Sequence, residues 1–163
     1  MPSDNPHIIL IDGKSGVGKS SLARTMAESL GATVVHLDDA YPGWGGLEGG
    51  RDAIIHSVLA PVAAGLMGRF RSWDWERDIA GAIVEVEPAD IVVFEGCGIS
   101  TAKSRELAST VLWVECPESD RLARLRQRDG GEYDQHFFAW DTQVDAHIAA
   151  NAPVTTANVV VCT

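Results

Sequence analysis

No stretch of this sequence stays apolar for the length of a membrane span. Its N-terminal "MPSDNPHIILIDG" lacks the basic leader and small-residue cleavage site of a secretory signal. The expectation is a cytoplasmic protein without a membrane partner. Cysteine is scarce. Cys97, Cys116 and Cys162 are odd in number and form no C-x-x-C pair. That pattern argues against a disulfide or zinc framework, and the three read as small buried residues near strands in a reducing compartment. Positive charge is also short: 13 Lys and Arg against 23 Asp and Glu give a formal net charge of -10. Such a balance argues against nucleic acid, whose binding needs cationic neutralisation of phosphates, and against anionic membrane surfaces. Internal repeats, low-complexity tracts and linkers are missing too. The 163 residues therefore read as one domain, long enough to bury a core.

What is present begins almost at once. "ILIDGKSGVGKSSLA" (9–23) reads as a buried strand, a glycine-rich turn and a helix. Gly13, Gly18, Lys19 and Ser20 complete the pattern G-x-x-x-x-G-K-[ST], with Gly16 as an inner glycine. In such a loop backbone N–H groups face inward, and the positive end of the following helix points at the same place. Gly13, Ser15, Gly16, Val17, Gly18, Lys19, Ser20 and Ser21 are thus the candidate nucleotide-binding residues. Lys19 would reach the β- and γ-phosphates, and the Ser20 hydroxyl would ligate Mg²⁺. An N-K-x-D guanine reader and an LSGGQ-like signature are both missing, which excludes a guanine switch and a transporter-type ATPase.

Four further apolar runs follow: "TVVHL" (33–37), "DIVVFEG" (90–96), "STVLWVECP" (109–117) and "NVVVC" (158–162). Helical patterns separate them. Leu22, Met26 and Leu30 recur every four residues, with Gly31 as a stop. Residues 51–64 look helical, and Pro61 should kink or end that helix. Tyr133, Phe137, Trp140, Val144 and Ile148 step at helical spacing. Strands alternating with helices predict an α/β protein with a parallel sheet, because parallel strands need crossovers. Residues 65–88 are the least legible, with "GAIVEVEP" alternating like a strand edge.

Acids stand at the ends of two of these strands, where open α/β sheets bind ligands. Asp38 and Asp39 follow the second run; either could take an acceptor's proton or hold Mg²⁺, against the common use of Asp as a turn or helix cap. Glu95 closes the third run, before Gly96, and could hold metal or an acceptor hydroxyl. Arg121, Arg124, Arg126 and Arg128 crowd into eight positions; Arg124 and Arg128 are the candidates to cover a transferring phosphoryl group. Trp73 and Trp75 flank Asp74 in "RFRSWDWERD", and Tyr41 and Trp44 follow Asp39; each could stack on or bind an acceptor, or anchor a loop to the core. His36, His56 and His147 have no metal spacing and read as packing or surface residues.

"DGKSGVGKSSLA", "HLDDAYPGW", "RSWDWERD", "VVFEG", "RLARLRQRD" and "DAHIAAN" together resemble, over nearly the whole chain, short actinobacterial P-loop proteins. These look like the uridine kinase and nicotinamide riboside kinase superfamily. The resemblance implies a three-layer P-loop NTPase fold, with helices on both faces of a five-stranded parallel sheet in the order 2-3-1-4-5. It also implies an acceptor-binding insert near 40–80 and a lid near 121–131. Asp38 then maps to the base, Glu95 to metal or substrate binding, and ATP with Mg²⁺ to the cofactors. The chain departs from relatives in Asp39-Ala40-Tyr41 and in a tail without an arginine-rich stretch. The expected activity is transfer of phosphate from ATP to a small hydroxylated acceptor, most naturally a nucleoside or similar metabolite, with Asp39, Tyr41, Trp73, Asp74 and Glu95 as candidate acceptor contacts. Two alternatives stand beside it. A nucleoside monophosphate kinase could use Arg51, Arg69 and Arg71 on the acceptor phosphate. A non-catalytic nucleotide-binding regulator would keep the loop without turnover.

Overall fold

The computed structural model describes residues 5–163. The fold is built around β1 (His7–Asp12), whose apolar residues are buried on both faces. Ile8 and Leu10 join Val35, Val92 and Phe94 in the larger core, while Ile9 and Ile11 join Val17, Ala23, Val93 and Val114 in the smaller one. Successive strand residues point to opposite faces, so a continuous apolar run specifies a strand covered on both sides. Each fully buried aliphatic side chain contributes roughly 1.5–3 kcal/mol.

Helix α1 (Lys19–Leu30) follows the glycine turn and ends, as expected, at Gly31, whose left-handed φ of 67° lets its N–H reach the Ala27 carbonyl. Then come β2 (Thr33–His36) and a 3₁₀ turn, Leu37–Asp39. Helix α2 (Leu47–Ile54) runs through π-helical turns at Ile55–Leu59 into α3 (Ala60–Ala63). Pro61 therefore does not end this helix. The wider turns just before it accommodate the missing N–H.

The illegible stretch is an antiparallel hairpin of β3 (Gly68–Asp74) and β4 (Ile79–Val86), separate from the main sheet. It is followed by β5 (Ile91–Glu95), α4 (Ala102–Leu107), β6 (Thr110–Glu115) and α5 (Glu118–Asp129). A 3₁₀ turn at Glu132–Gln135 leads into α6 (Phe137–Asn151), then α7 (Pro153–Thr156) and β7 (Val159–Cys162). The expected helix through Tyr133–Ile148 is thus split, with Tyr133 in the turn.

The main sheet is parallel, in the order β2-β5-β1-β6-β7. Counting only its own strands, this is the 2-3-1-4-5 order, with core clusters and helices on both faces. Register sets the site: Glu95 lies level with Ile11 of β1 and His36 of β2. The phosphate turn, Asp38 and Glu95 therefore emerge side by side from three adjacent strands. The cysteine expectation holds for Cys97, which is buried, but Cys162 is exposed because β7 is an edge strand. Among the described residues no helix is long and apolar enough to cross a membrane.

Candidate active site

The turn after β1 is held to its neighbours by steric fit. A Cβ on Gly16 would come within 2.7 Å of the Arg121 carbonyl oxygen and 2.8 Å of Leu125 Cγ. Gly18, with φ of 102°, sits in the left-handed region at the start of α1. Lys19 Nζ donates to the carbonyl of Lys14 at 2.8 Å, across the turn, and lies 3.6 Å from Cys97 Sγ. Burial works against its charge, but Cys97, Glu95, Asp38 and Asp12 together carry its pKa above the ordinary value.

Ser20 Oγ donates to Glu95 Oε1 at 3.0 Å, joining the first turn of α1 to the end of β5. The same oxygen is 2.5 Å from His36 Nδ1. Burial pushes the Glu95 carboxyl up, but the His36 hydrogen bond, Lys19 and Ser20 outweigh it, and the net shift is downward. His36 is raised in turn, chiefly by its hydrogen bond to Glu95. Asp38 stands in the turn after β2 and opens onto the same space. Asp38 stays exposed to solvent, but desolvation by the surrounding walls lifts its pKa, and Lys19 and Arg128 pull against that rise.

Lys19, Ser20, Asp38 and Glu95 line a cavity of about 580 Å³, within the usual range for small-molecule sites. Ser15, Gly16, Gly18, Lys19, Ser20 and Ser21 form one end. Asp38, Asp39, Glu95, Arg124 and Arg128 also line it. Tyr41, Trp44, Trp75, Tyr133 and Trp140 make an aromatic wall. Tyr41 is a fixed part of that wall, because its hydroxyl donates to the Cys97 carbonyl at 2.6 Å. Trp44 stacks on His136 at 4.2 Å and meets Trp75 edge-on at 5.2 Å.

Four of the expected residues lie elsewhere. Gly13 and Val17 shape the turn from behind and do not line the cavity. Asp74 spends its side chain on the hairpin turn, accepting from the N–H groups of Glu76 and Arg77 at 3.1 Å each. Trp73 is likewise outside the cavity; Trp75 takes the place expected of it, donating Nε1–H to the Asp38 carbonyl at 2.8 Å. The tight turn after β3 swings residue 75 back toward β2, which strand alternation alone does not encode. Sequence reasoning also missed Arg24, Cys97, Tyr133 and Trp140. The helical step joining Tyr133 to Trp140 was visible, but it reads equally as core.

The arginines divide. Arg121 is fully buried, paired to Asp141 and Glu118 at 2.6 Å each, and donates to the Ser15 carbonyl at 3.3 Å. Arg124 donates to Thr163 Oγ1 at 2.8 Å and to the Val17 carbonyl at 3.3 Å. Arg51, Arg69 and Arg71 do not line the cavity; they meet Asp52, Glu85 and the Gly81 carbonyl instead. Among the described residues no group of three His, Cys, Asp or Glu is placed to hold a metal ion. A divalent cation here would rest on Ser20 and an acid, completed by phosphate oxygens and water, which is how Mg²⁺ is commonly held.

Solved structures share this fold. One is described as a possible uridine kinase from Bacillus stearothermophilus: TM-score 0.70, 20% identity, covering 99% of this chain and 91% of that one. A candidate fructose transport system kinase from Silicibacter sp. TM1040 gives 0.62 and 22%, covering 97% and 90%. Shikimate kinase from Acinetobacter baumannii, in complex with shikimate, gives 0.57 and 16%, covering 98% and 85%. No curated protein matches the chain. The family model AAA_18, described as AAA domain, matches residues 9–148. Since that match runs from within β1 into α6 and takes in the phosphate turn, Asp38, Glu95 and the arginines of α5, the chain belongs to the AAA_18 family of P-loop domains.

Proposed function

We propose that this protein is an ATP- and Mg²⁺-dependent phosphotransferase of the cytoplasm, acting on a small hydroxylated acceptor, a nucleoside or nucleoside-like metabolite. One observation carries the reading. The Asp38 carboxylate opens into the same cavity as Lys19, Ser20 and Glu95, beside an aromatic wall. The turn amides and Lys19 bind the phosphates of ATP. Ser20 and Glu95, with Asp38 nearby, are the residues that would hold Mg²⁺, which when bound neutralises charge on the phosphate oxygens. Asp38 accepts the proton of the acceptor hydroxyl as it attacks, and Asp39 helps orient the acceptor. Arg124 and Arg128 cover the phosphates and shield them from water. Trp44 and Trp75 supply faces on which a planar acceptor stacks.

The monophosphate-kinase alternative loses support, because Arg51, Arg69 and Arg71 are engaged away from the cavity. The test is ADP release from ATP·Mg²⁺ with pools of nucleosides, nucleoside monophosphates, sugars and vitamin alcohols, beside Asp38→Asn. Stimulation by a hydroxylated pool, reduced about 10²–10⁴-fold in the variant with ATP affinity nearly unchanged, supports the reading. Tight ATP binding with no stimulation by any pool overturns it in favour of a nucleotide-binding regulator.

A further inference from the structure

Asp12, the last residue of β1, is completely buried and takes no part in the chemistry just described. Its carboxylate accepts four hydrogen bonds. Oδ1 takes the N–H of Gly13 at 2.7 Å and of Gly98 at 2.9 Å. Oδ2 takes the N–H of Ser100 at 3.0 Å and His147 Nε2–H at 2.8 Å. His147 is buried on α6, and its other ring nitrogen accepts from Asn151 Nδ2 at 3.1 Å, which places the proton on Nε2. A chain Asn151–His147–Asp12 thus runs from α6 to the first glycine of the phosphate turn and to the 98–100 segment.

That segment lies just beyond Glu95 and Cys97. Cys97 accepts from Tyr41 through its carbonyl and meets Lys19 and Ser15 through its sulfur. The carboxylate therefore sets the spacing between the two backbones that carry Lys19 and Ser20 on one side and Glu95 and Cys97 on the other. Without His147, Oδ2 keeps only the Ser100 N–H, so the buried carboxylate is held less firmly and its grip on the three backbone amides loosens.

We infer that His147, acting through Asp12, is a positioning residue for the nucleotide site. It fixes the phosphate turn against the 95–100 segment without touching the ligand. The inference rests on the kinase reading for its functional consequence, but the geometry it asserts can be tested without that reading.

The experiment compares wild type with His147→Leu, His147→Gln, Asn151→Leu and, as a control on the same helix, Thr142→Ala. Gln keeps an N–H donor near the Nε2 position; Leu does not. Titration with ATP·Mg²⁺ should give about a tenfold weaker Kd for His147→Leu, an intermediate loss for Asn151→Leu, and values within about threefold of wild type for His147→Gln and Thr142→Ala, about 1.4 kcal/mol per tenfold. Amide hydrogen exchange is read in parallel. Protection of Gly13, Gly98 and Ser100 should fall in His147→Leu and return in His147→Gln. A purely structural role would lower the unfolding midpoint of both His147 variants without this split. Unchanged Kd and unchanged exchange in a folded His147→Leu overturn the inference. Should His147→Leu not fold, Asn151→Leu decides by the same two measurements. Should wild type bind no nucleotide, the kinase reading fails, and exchange at the three amides alone decides the positioning claim.

Discussion

Ser20 Oγ and Glu95 Oε1 meet at 3.0 Å, joining two residues 75 positions apart in sequence. One opens the helix after the phosphate turn and the other ends the neighbouring strand β5. Under the proposed function, a cation would sit against this pair and the phosphates. Glu95→Gln keeps the shape and a hydrogen-bond partner for Ser20 but removes the charge. The Mg²⁺ concentration giving half-maximal nucleotide turnover should rise about tenfold, roughly the loss of one charged ligand interaction. A magnesium titration at saturating ATP checks this; an unchanged midpoint would remove Glu95 from the cation site.

Asp38 carries a pKa raised by desolvation within the cavity, partly offset by Lys19 and Arg128. The base proposed here must be ionised to act, so turnover should rise with pH through that elevated value. The acid limb should lie above the range of an ordinary aspartate and vanish in Asp38→Asn. The sign for stability is opposite. A carboxyl whose folded pKa is raised contributes stability at low pH, and that contribution is lost as pH rises from the unfolded value through the folded one. Asp38→Asn should therefore be at least as stable as wild type at neutral pH, measured by urea unfolding.

His36 is raised by its hydrogen bond to Glu95. Its contribution is complete below the unfolded value near 6.5 and fades as pH climbs through the folded value. Glu95, lowered overall, contributes above its unfolded value and loses that as pH falls through the folded one. The pair is thus most favourable between the two limits. Urea midpoints of wild type and His36→Gln should differ most near pH 6 and converge on the alkaline side. A difference independent of pH would mean that the contact is packing alone.

Arg121 and Asp141 form a buried pair, and the Tyr133 hydroxyl also donates to Asp141 at 2.8 Å. Arg121→Ala leaves the carboxylate without its main partner and should cost about 3–5 kcal/mol. Arg126 pairs with Asp134 at the surface, and Arg126→Ala should cost under about 1 kcal/mol. Denaturant unfolding of the two variants separates an anchoring arginine from a solvated one; equal losses would contradict the assignment.

The arginines of α5 mark where the sequence stops being informative. Helical spacing makes Arg121, Arg124 and Arg128 equivalent members of one face, yet Arg121 is buried and the other two line the cavity. The choice is made by Asp141, on a different helix. Trp73 and Trp75 were equally hard to separate, because the turn that follows β3 decides which indole reaches Asp38. His147 read as a packing residue, and it is buried, but its bond to Asp12 spans 135 positions that no local pattern records.

Sequence alone determined the phosphate turn, the two-sided burial of β1, and the acids at the ends of β2 and β5. These depend on contiguous residues: glycines where backbone must turn, apolar runs where both faces are covered, and carboxylates at strand ends. Tertiary structure decided the strand neighbours, the hairpin, the aromatic wall and the network holding Asp12. Each arises where segments distant in sequence meet, and such a contact depends on packing geometry that neither segment carries by itself.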